Sequence, residues 1–112
     1  MCTQLIVKIS FVPGRIVGRM STPFTADEID SALAGLTGWS SAGDAITKTY
    51  EFADFGAAMA FMARAAPGID ELDHHPEWTN VYNRVDARLS SHDVGGVTDR
   101  DIRLAVLLDG LA

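Results

Sequence analysis

All three histidines of the chain fall between residues 74 and 92: His74 and His75 are adjacent and followed by Pro76, and His92 lies beyond. Histidine gives or takes a proton near neutrality, because its unperturbed pKa is about 6.5. Two or three converging on a pocket supply a general acid and a general base. Pro76 pushes His75 toward extended backbone, which suits a loop or the start of a strand that turns side chains outward. A metal is the other chemistry to weigh. His74, His75, His92 and a nearby carboxylate could be counted toward the three or four ligands of zinc. Neighbours on extended backbone point to opposite faces, however, and no H-x-H or HExxH spacing is present. Acid–base chemistry is the stronger reading. A lone surface histidine is ordinarily just that, so the cluster carries the argument and no single ring does.

A chain of 112 residues with 47% hydrophobic content is the size of one domain with its own core. Its one cysteine, Cys2, cannot form an internal disulfide, so nothing points to an oxidising compartment. A net charge of −6 argues against neutralising nucleic-acid phosphates. That charge is unevenly spread. Residues 1–20 hold Lys8, Arg15 and Arg19 without an acid, whereas 21–112 hold six basic and fifteen acidic groups. The apolar stretch 4–12 has Lys8 in its middle and no A-x-A site after it, unlike a secretory signal. No 18-residue apolar run suggests a membrane span, and a cytoplasmic protein is expected. Met20 reads like a natural start. Residues 1–19 are therefore expected to be an extension outside the core, and 20–112 a single domain; the rival is a short strand over 5–12.

From residue 21 the elements can be placed. Thr25 and Glu28 spell a capping box, and Ile29, Ala32, Leu33 and Leu36 recur at helical spacing, predicting a helix over 26–34. Gly38 and Trp39 lead into a strand or turn, and Gly43-Asp44 is a turn signal. Residues 45–52 alternate, with Ile46, Tyr50 and Phe52 on one face of a half-buried strand. Asp54 caps a second helix, expected to stop at Ala66 before Pro67-Gly68, with Phe55, Ala58, Met59, Met62 and Ala66 as its apolar stripe and Phe61 and Ala65 widening it. Residues 78–90 read as the longest strand, Val81, Val85, Ala87 and Leu89 on one face and Trp78, Asn80, Tyr82, Arg84 and Arg88 on the other. A further strand is expected after it. Thr98 opens a third helix with Ile102, Ala105, Val106 and Asp109 one turn apart, and Asp99 and Asp101 suit the positive end of its dipole. The order α-β-β-α-β-β-α predicts an α+β fold: a four-stranded antiparallel sheet with three helices packed on one face.

Residues 70–105, DELDHHPEWTNVYNRVDARLSSHDVGGVTDRDIRLA, resemble the pterin-4a-carbinolamine dehydratases, also called 4a-hydroxytetrahydrobiopterin dehydratases. The elements of the motif are Asp70, His74-His75-Pro76, Tyr82, His92 and Asp101. The segments LTGW (36–39), DAITKTYEFADF (44–55) and AFMARAA (60–66) are similar too, so the resemblance spans about 21–109.

The resemblance implies loss of water from a 4a-hydroxytetrahydropterin to give quinonoid dihydropterin, with neither metal nor organic cofactor. That step belongs to pterin recycling for aromatic amino-acid hydroxylation, a functional link to a hydroxylase. By position, His74 and His92 become the acid–base pair and His75 binds or orients the pterin. Pro76 and the segment Ser91, His92, Asp93 and Val94 line the substrate site. Asp101 has two compatible roles, capping its helix and holding a histidine tautomer. Asp70 and Asp73 either bind the pyrimidine edge of the pterin or are solvated charges, and Trp39 either walls the pocket or packs the core. The family assembles as homodimers or homotetramers. Animal members also serve as dimerisation cofactors of a transcription factor, so a non-catalytic protein-binding relative is the alternative.

Overall fold

The computed structural model describes residues 22–112. The expected extension over 1–19, the strand over 5–12 and the start at Met20 lie outside the described residues. Helix α1 (Ala26–Leu33) is followed by strands β1 (Ser40–Ala42) and β2 (Ala45–Glu51), and helix α2 spans Phe55–Leu72. Strands β3 (Glu77–Val81) and β4 (Arg84–Leu89) then precede helix α3 (Asp99–Leu111). The sheet is antiparallel throughout in the order β1-β2-β4-β3. This is the α+β arrangement the sequence predicts.

The capping box of α1 forms as expected: the Thr25 amide donates to Glu28 Oε1 at 2.8 Å, and the Glu28 amide to Thr25 Oγ1 at 3.2 Å. Gly43 closes the β1–β2 turn at φ 66°, a conformation that favours glycine. Ile46, Tyr50, Val85, Ala87 and Leu89 are buried on one face of the sheet, where the helices pack. Phe61 of α2 stands at the centre, its ring 5.0 Å from Tyr50, 5.1 Å from Phe52 and 6.1 Å from Trp78.

The structure differs from the sequence reading in several details. Helix α2 does not stop at Ala66 but runs through Pro67 to Leu72. A proline inside a helix costs about 3 kcal/mol. Two residues beyond it offset that cost, because Ile69 is buried and Leu72 packs against the core, each such side chain contributing about 1.5–3 kcal/mol when fully covered. The buried stripe of α2 is Ala58, Phe61, Ala65 and Ile69, while Phe55 and Met59 remain exposed. On α3 the buried set is Asp101, Leu104, Ala105 and Leu108, with Val106 outside.

The stretch 78–90 is two strands, not one, and only an isolated bridge, Ser91 to Gly96, follows them. Val81 pairs with Arg84 across a two-residue turn at Tyr82-Asn83. That turn inverts the alternation. Trp78 pairs with Ala87 and so shares its core face, whereas Val81 joins Arg84 on the outer face and is exposed.

Candidate active site

The extension of α2 past Pro67 is what delivers the first two histidines. Asp73 caps the helix in the left-handed region at φ 54°. Its amide donates to the Asp70 carbonyl at 3.0 Å and the His74 amide to the Ile69 carbonyl at 3.5 Å. This pairing is a Schellman closure, which reverses the chain sharply. His74 emerges from it turned inward, His75 outward. Asp73, expected to bind substrate, thus has a conformational job that the sequence did not reveal.

From the other side comes the N-terminus of α3. Thr98 is its N-cap, and Asp101 at the third position completes a capping box. The Asp101 side chain is wholly buried. Its Oδ2 accepts from the Thr98 amide and from Ser91 Oγ, each at 2.9 Å. Its Oδ1 lies 2.6 Å from Nε2 of the buried His74. Thr98 Oγ1 accepts from the Arg100 amide and sits 2.8 Å from Ser91 Oγ. With Ser91 donating to the carboxylate, the Thr98 hydroxyl donates to Ser91, and the chain of hydroxyls has one consistent direction.

A carboxylate accepts, so the proton on this side of the imidazole belongs to Nε2. The tautomer is fixed, and Nδ1 is left to exchange a proton with a ligand. Among the described residues nothing bonds Nδ1.

The remaining histidines are exposed and separately partnered. His75 Nε2 lies 3.0 Å from Asp70 Oδ1. His92 Nε2 lies 3.6 Å from Glu77 Oε2. His74 and His75 therefore diverge, as expected of neighbours. Among the described residues no group of three or more His, Cys, Asp and Glu could hold a metal ion.

His92 and Asp93 ride on a tight turn whose Ser91 carbonyl accepts from the amides of Val94, Gly95 and Gly96. Arg100 of α3 bonds Asp93 at 2.7 Å and holds its carboxyl below the usual carboxylate range, and the charge of His74 adds to the same lowering. Pro76 is half-buried between His75 and β3.

Hydrogen bonds thus join His74, Asp101, Ser91 and Thr98 into one network. Tyr82, part of the sequence motif, is instead exposed at the β3–β4 turn with φ 50°. Trp39 is buried, and its Nε1 donates to Asp109 at 3.1 Å, so it packs the core. Sequence reasoning missed Glu77 and Arg100. For Glu77 a signal existed, since a carboxylate directly after His75-Pro76 travels with the cluster.

The family model described as pterin 4 alpha carbinolamine dehydratase matches residues 22–111. A protein of Paraburkholderia xenovorans named "Putative pterin-4-alpha-carbinolamine dehydratase" is 48% identical over 89 residues, covering 78% of this chain and 93% of its own. A relative of the same name from Burkholderia cenocepacia is 50% identical over 90 residues, covering 79% and 88%. A crystal structure of a Brucella melitensis protein, described as a transcriptional coactivator/pterin dehydratase, superposes with a TM-score of 0.79 at 44% identity. It covers 81% of this chain and 99% of that one. No described helix is long and apolar enough to cross a membrane.

Proposed function

The chain belongs to the pterin 4 alpha carbinolamine dehydratase family, and from that premise we propose that it dehydrates a 4a-hydroxytetrahydropterin by histidine acid–base catalysis. The observation that carries this reading is the buried His74–Asp101 pair at 2.6 Å. It is an imidazole whose inner nitrogen is committed and whose outer nitrogen is free for proton exchange.

The reaction breaks the C4a–O bond and removes the proton on N5, so that water leaves and a C4a–N5 double bond forms. No other reagent is consumed. His74 and His92 take the ring-nitrogen proton and protonate the departing hydroxyl between them. A placed acid or base contributes about 10²–10⁴-fold each. Asp101 holds the tautomer of His74. His75, steadied by Asp70, binds and orients the pterin, while Asp73, Pro76 and the segment Ser91, Asp93 and Val94 shape the site. The product feeds pterin recycling for an aromatic amino-acid hydroxylase.

A homodimer or homotetramer fits the exposed Phe55 and Met59 on α2, which are 49% and 42% accessible. The same face is where a protein partner would dock if the chain were a non-catalytic relative. The coactivator role ascribed to the Brucella protein is what favours that second reading.

The experiment generates 4a-hydroxytetrahydrobiopterin with an aromatic amino-acid hydroxylase and follows quinonoid dihydropterin spectrophotometrically. Formation should accelerate in proportion to added protein and be unchanged by chelator. A rate equal to the spontaneous one would remove the enzymatic reading in favour of the protein-binding one.

A further inference from the structure

Glu77 follows the His74-His75-Pro76 run directly and opens β3, one of the two edge strands of the sheet. Its two oxygens do different things. Oε2 faces His92 Nε2 at 3.6 Å, while Oε1 accepts from Arg88 at 2.8 Å. Arg88 lies opposite Glu77 in the register of β3 and β4, and its other nitrogen reaches Asp44 of the β1–β2 turn at 2.8 Å. Hydrogen-bonded charges therefore run from that turn through Arg88 of β4 to Glu77 of β3, whose carboxylate faces the third histidine.

The position of these charges gives them weight. His74 is held by a buried network, but His92 is 69% exposed on a turn whose hydrogen bonds, through its backbone and through the side chains of Ser91 and Asp93, do not involve the imidazole. Nothing in that turn fixes the imidazole. The carboxylate that does reach it is supplied by the segment carrying the other two histidines. An isolated exposed ion pair has little hold on a side chain. Glu77 differs in being anchored first: a guanidinium on the neighbouring strand, itself tied to a second carboxylate, limits where its carboxyl can go.

We propose that Glu77 is the positioning residue of His92, clamped by Arg88 and Asp44. The inference rests on the dehydratase reading for its kinetic consequence, though not for its structural one. Losing Glu77 leaves the fold intact and the pterin bound, but frees the imidazole to sample orientations in which no proton is exchanged. The loss therefore falls on kcat and not on KM.

The test compares wild-type protein with Glu77→Ala, Glu77→Asp, His92→Ala and the double variant Glu77→Ala/His92→Ala. Two readouts are used: steady-state dehydration, and ¹³C relaxation of the histidine ring C–H groups. Expected in Glu77→Ala are a kcat about tenfold lower with KM within about twofold, and recovery of part of the loss in Glu77→Asp. The His92 ring order parameter should fall toward the flexible range, about 0.6 or below, while that of His74 stays unchanged. In the double variant, Glu77→Ala should add nothing to His92→Ala. An unchanged His92 order parameter in Glu77→Ala would overturn the proposal, as would losses that multiply in the double variant. If wild-type protein shows no dehydration, the functional reading fails. The relaxation result then still decides whether Glu77 holds His92.

Discussion

His74 and Asp101 meet at 2.6 Å although 27 residues separate them, and each arrives from the end of a helix. His74 leaves the C-terminal closure of α2, and Asp101 stands in the first turn of α3. Packing fixes how the two helices lie: a Cβ on Gly68 of α2 would come within 2.9 Å of Leu107 of α3. One carboxylate thus caps a helix, accepts from Ser91 and orients an imidazole. Folding and chemistry share it.

That sharing predicts the behaviour of Asp101→Asn. An amide has one acceptor oxygen, so at least one of the three donors around this buried position loses its partner. A destabilisation of about 1–3 kcal/mol is expected, together with a large fall in kcat as the His74 tautomer is released. Ser91→Ala removes the two bonds of its hydroxyl, to Asp101 and from Thr98, but leaves His74 and the Thr98 amide on the carboxylate, and should cost less than Asp101→Asn, about 1–2 kcal/mol. Chemical denaturation of both variants checks the ordering; equal costs would show that the network is not centred on Asp101.

Pro67 makes an opposite forecast. It is exposed, so alanine there loses no packing and supplies the amide that α2 lacks. Pro67→Ala should gain about 1 kcal/mol, less than the full propensity difference because the helix already forms around the proline. Thermal melting tests this. A lowered Tm would mean that the ring itself is packed or that the helix needs its shape.

A pH dependence follows from Tyr50. Burial first, and then the hydrogen bond to Asp109 at 2.5 Å, push its phenol far above the ordinary value of 10.0. In the unfolded chain it ionises near pH 10. A folded-state pKa raised above the unfolded one means that the folded protein binds more protons there, so stability is full below about pH 10 and falls as the pH rises beyond it. Tyr50→Phe should be less stable than wild type at neutral pH, because Asp109 loses a donor. The gap should narrow in the alkaline range. Urea midpoints at pH 7 and above pH 10 provide the check, and a constant gap would contradict it.

His75 and Asp70 should behave as a binding pair. His75→Ala is expected to raise KM while leaving kcat within about threefold, since binding shared by ground and transition states affects KM alone. Asp70→Asn should do the same more weakly. Both side chains are exposed, so neither variant should move Tm. Initial-rate kinetics decide; a kcat loss as large as that of a His74 variant would make His75 an acid or base.

Most of the fold was legible because hydrophobic period and caps agree. Thr25 with Glu28 and Thr98 with Asp101 each announce a helix start, and the alternation over 45–52 announces β2. Two features were hidden by tertiary effects. The burial of Ile69 and Leu72 overrides Pro67, which no local rule registers. The turn at Tyr82-Asn83 carries no glycine, so two strands in opposite phase read as one. At the site, residue types pointed to histidine chemistry, and the motif pointed to Asp101. What sequence could not give is partnership. The three histidines stand near three different carboxylates, Asp101, Asp70 and Glu77, and only the fold assigns them.

The central claim is that His74 exchanges the proton. His74→Gln tests it most directly, since an amide donor can still face Asp101 and keep the network satisfied while nothing remains at the outer position to titrate. Turnover of enzymatically generated 4a-hydroxytetrahydrobiopterin should show kcat lowered by about 10²-fold or more, equivalent to about 2.7 kcal/mol, with a melting temperature close to that of the wild type. A folded His74→Gln protein with wild-type kcat would contradict the account.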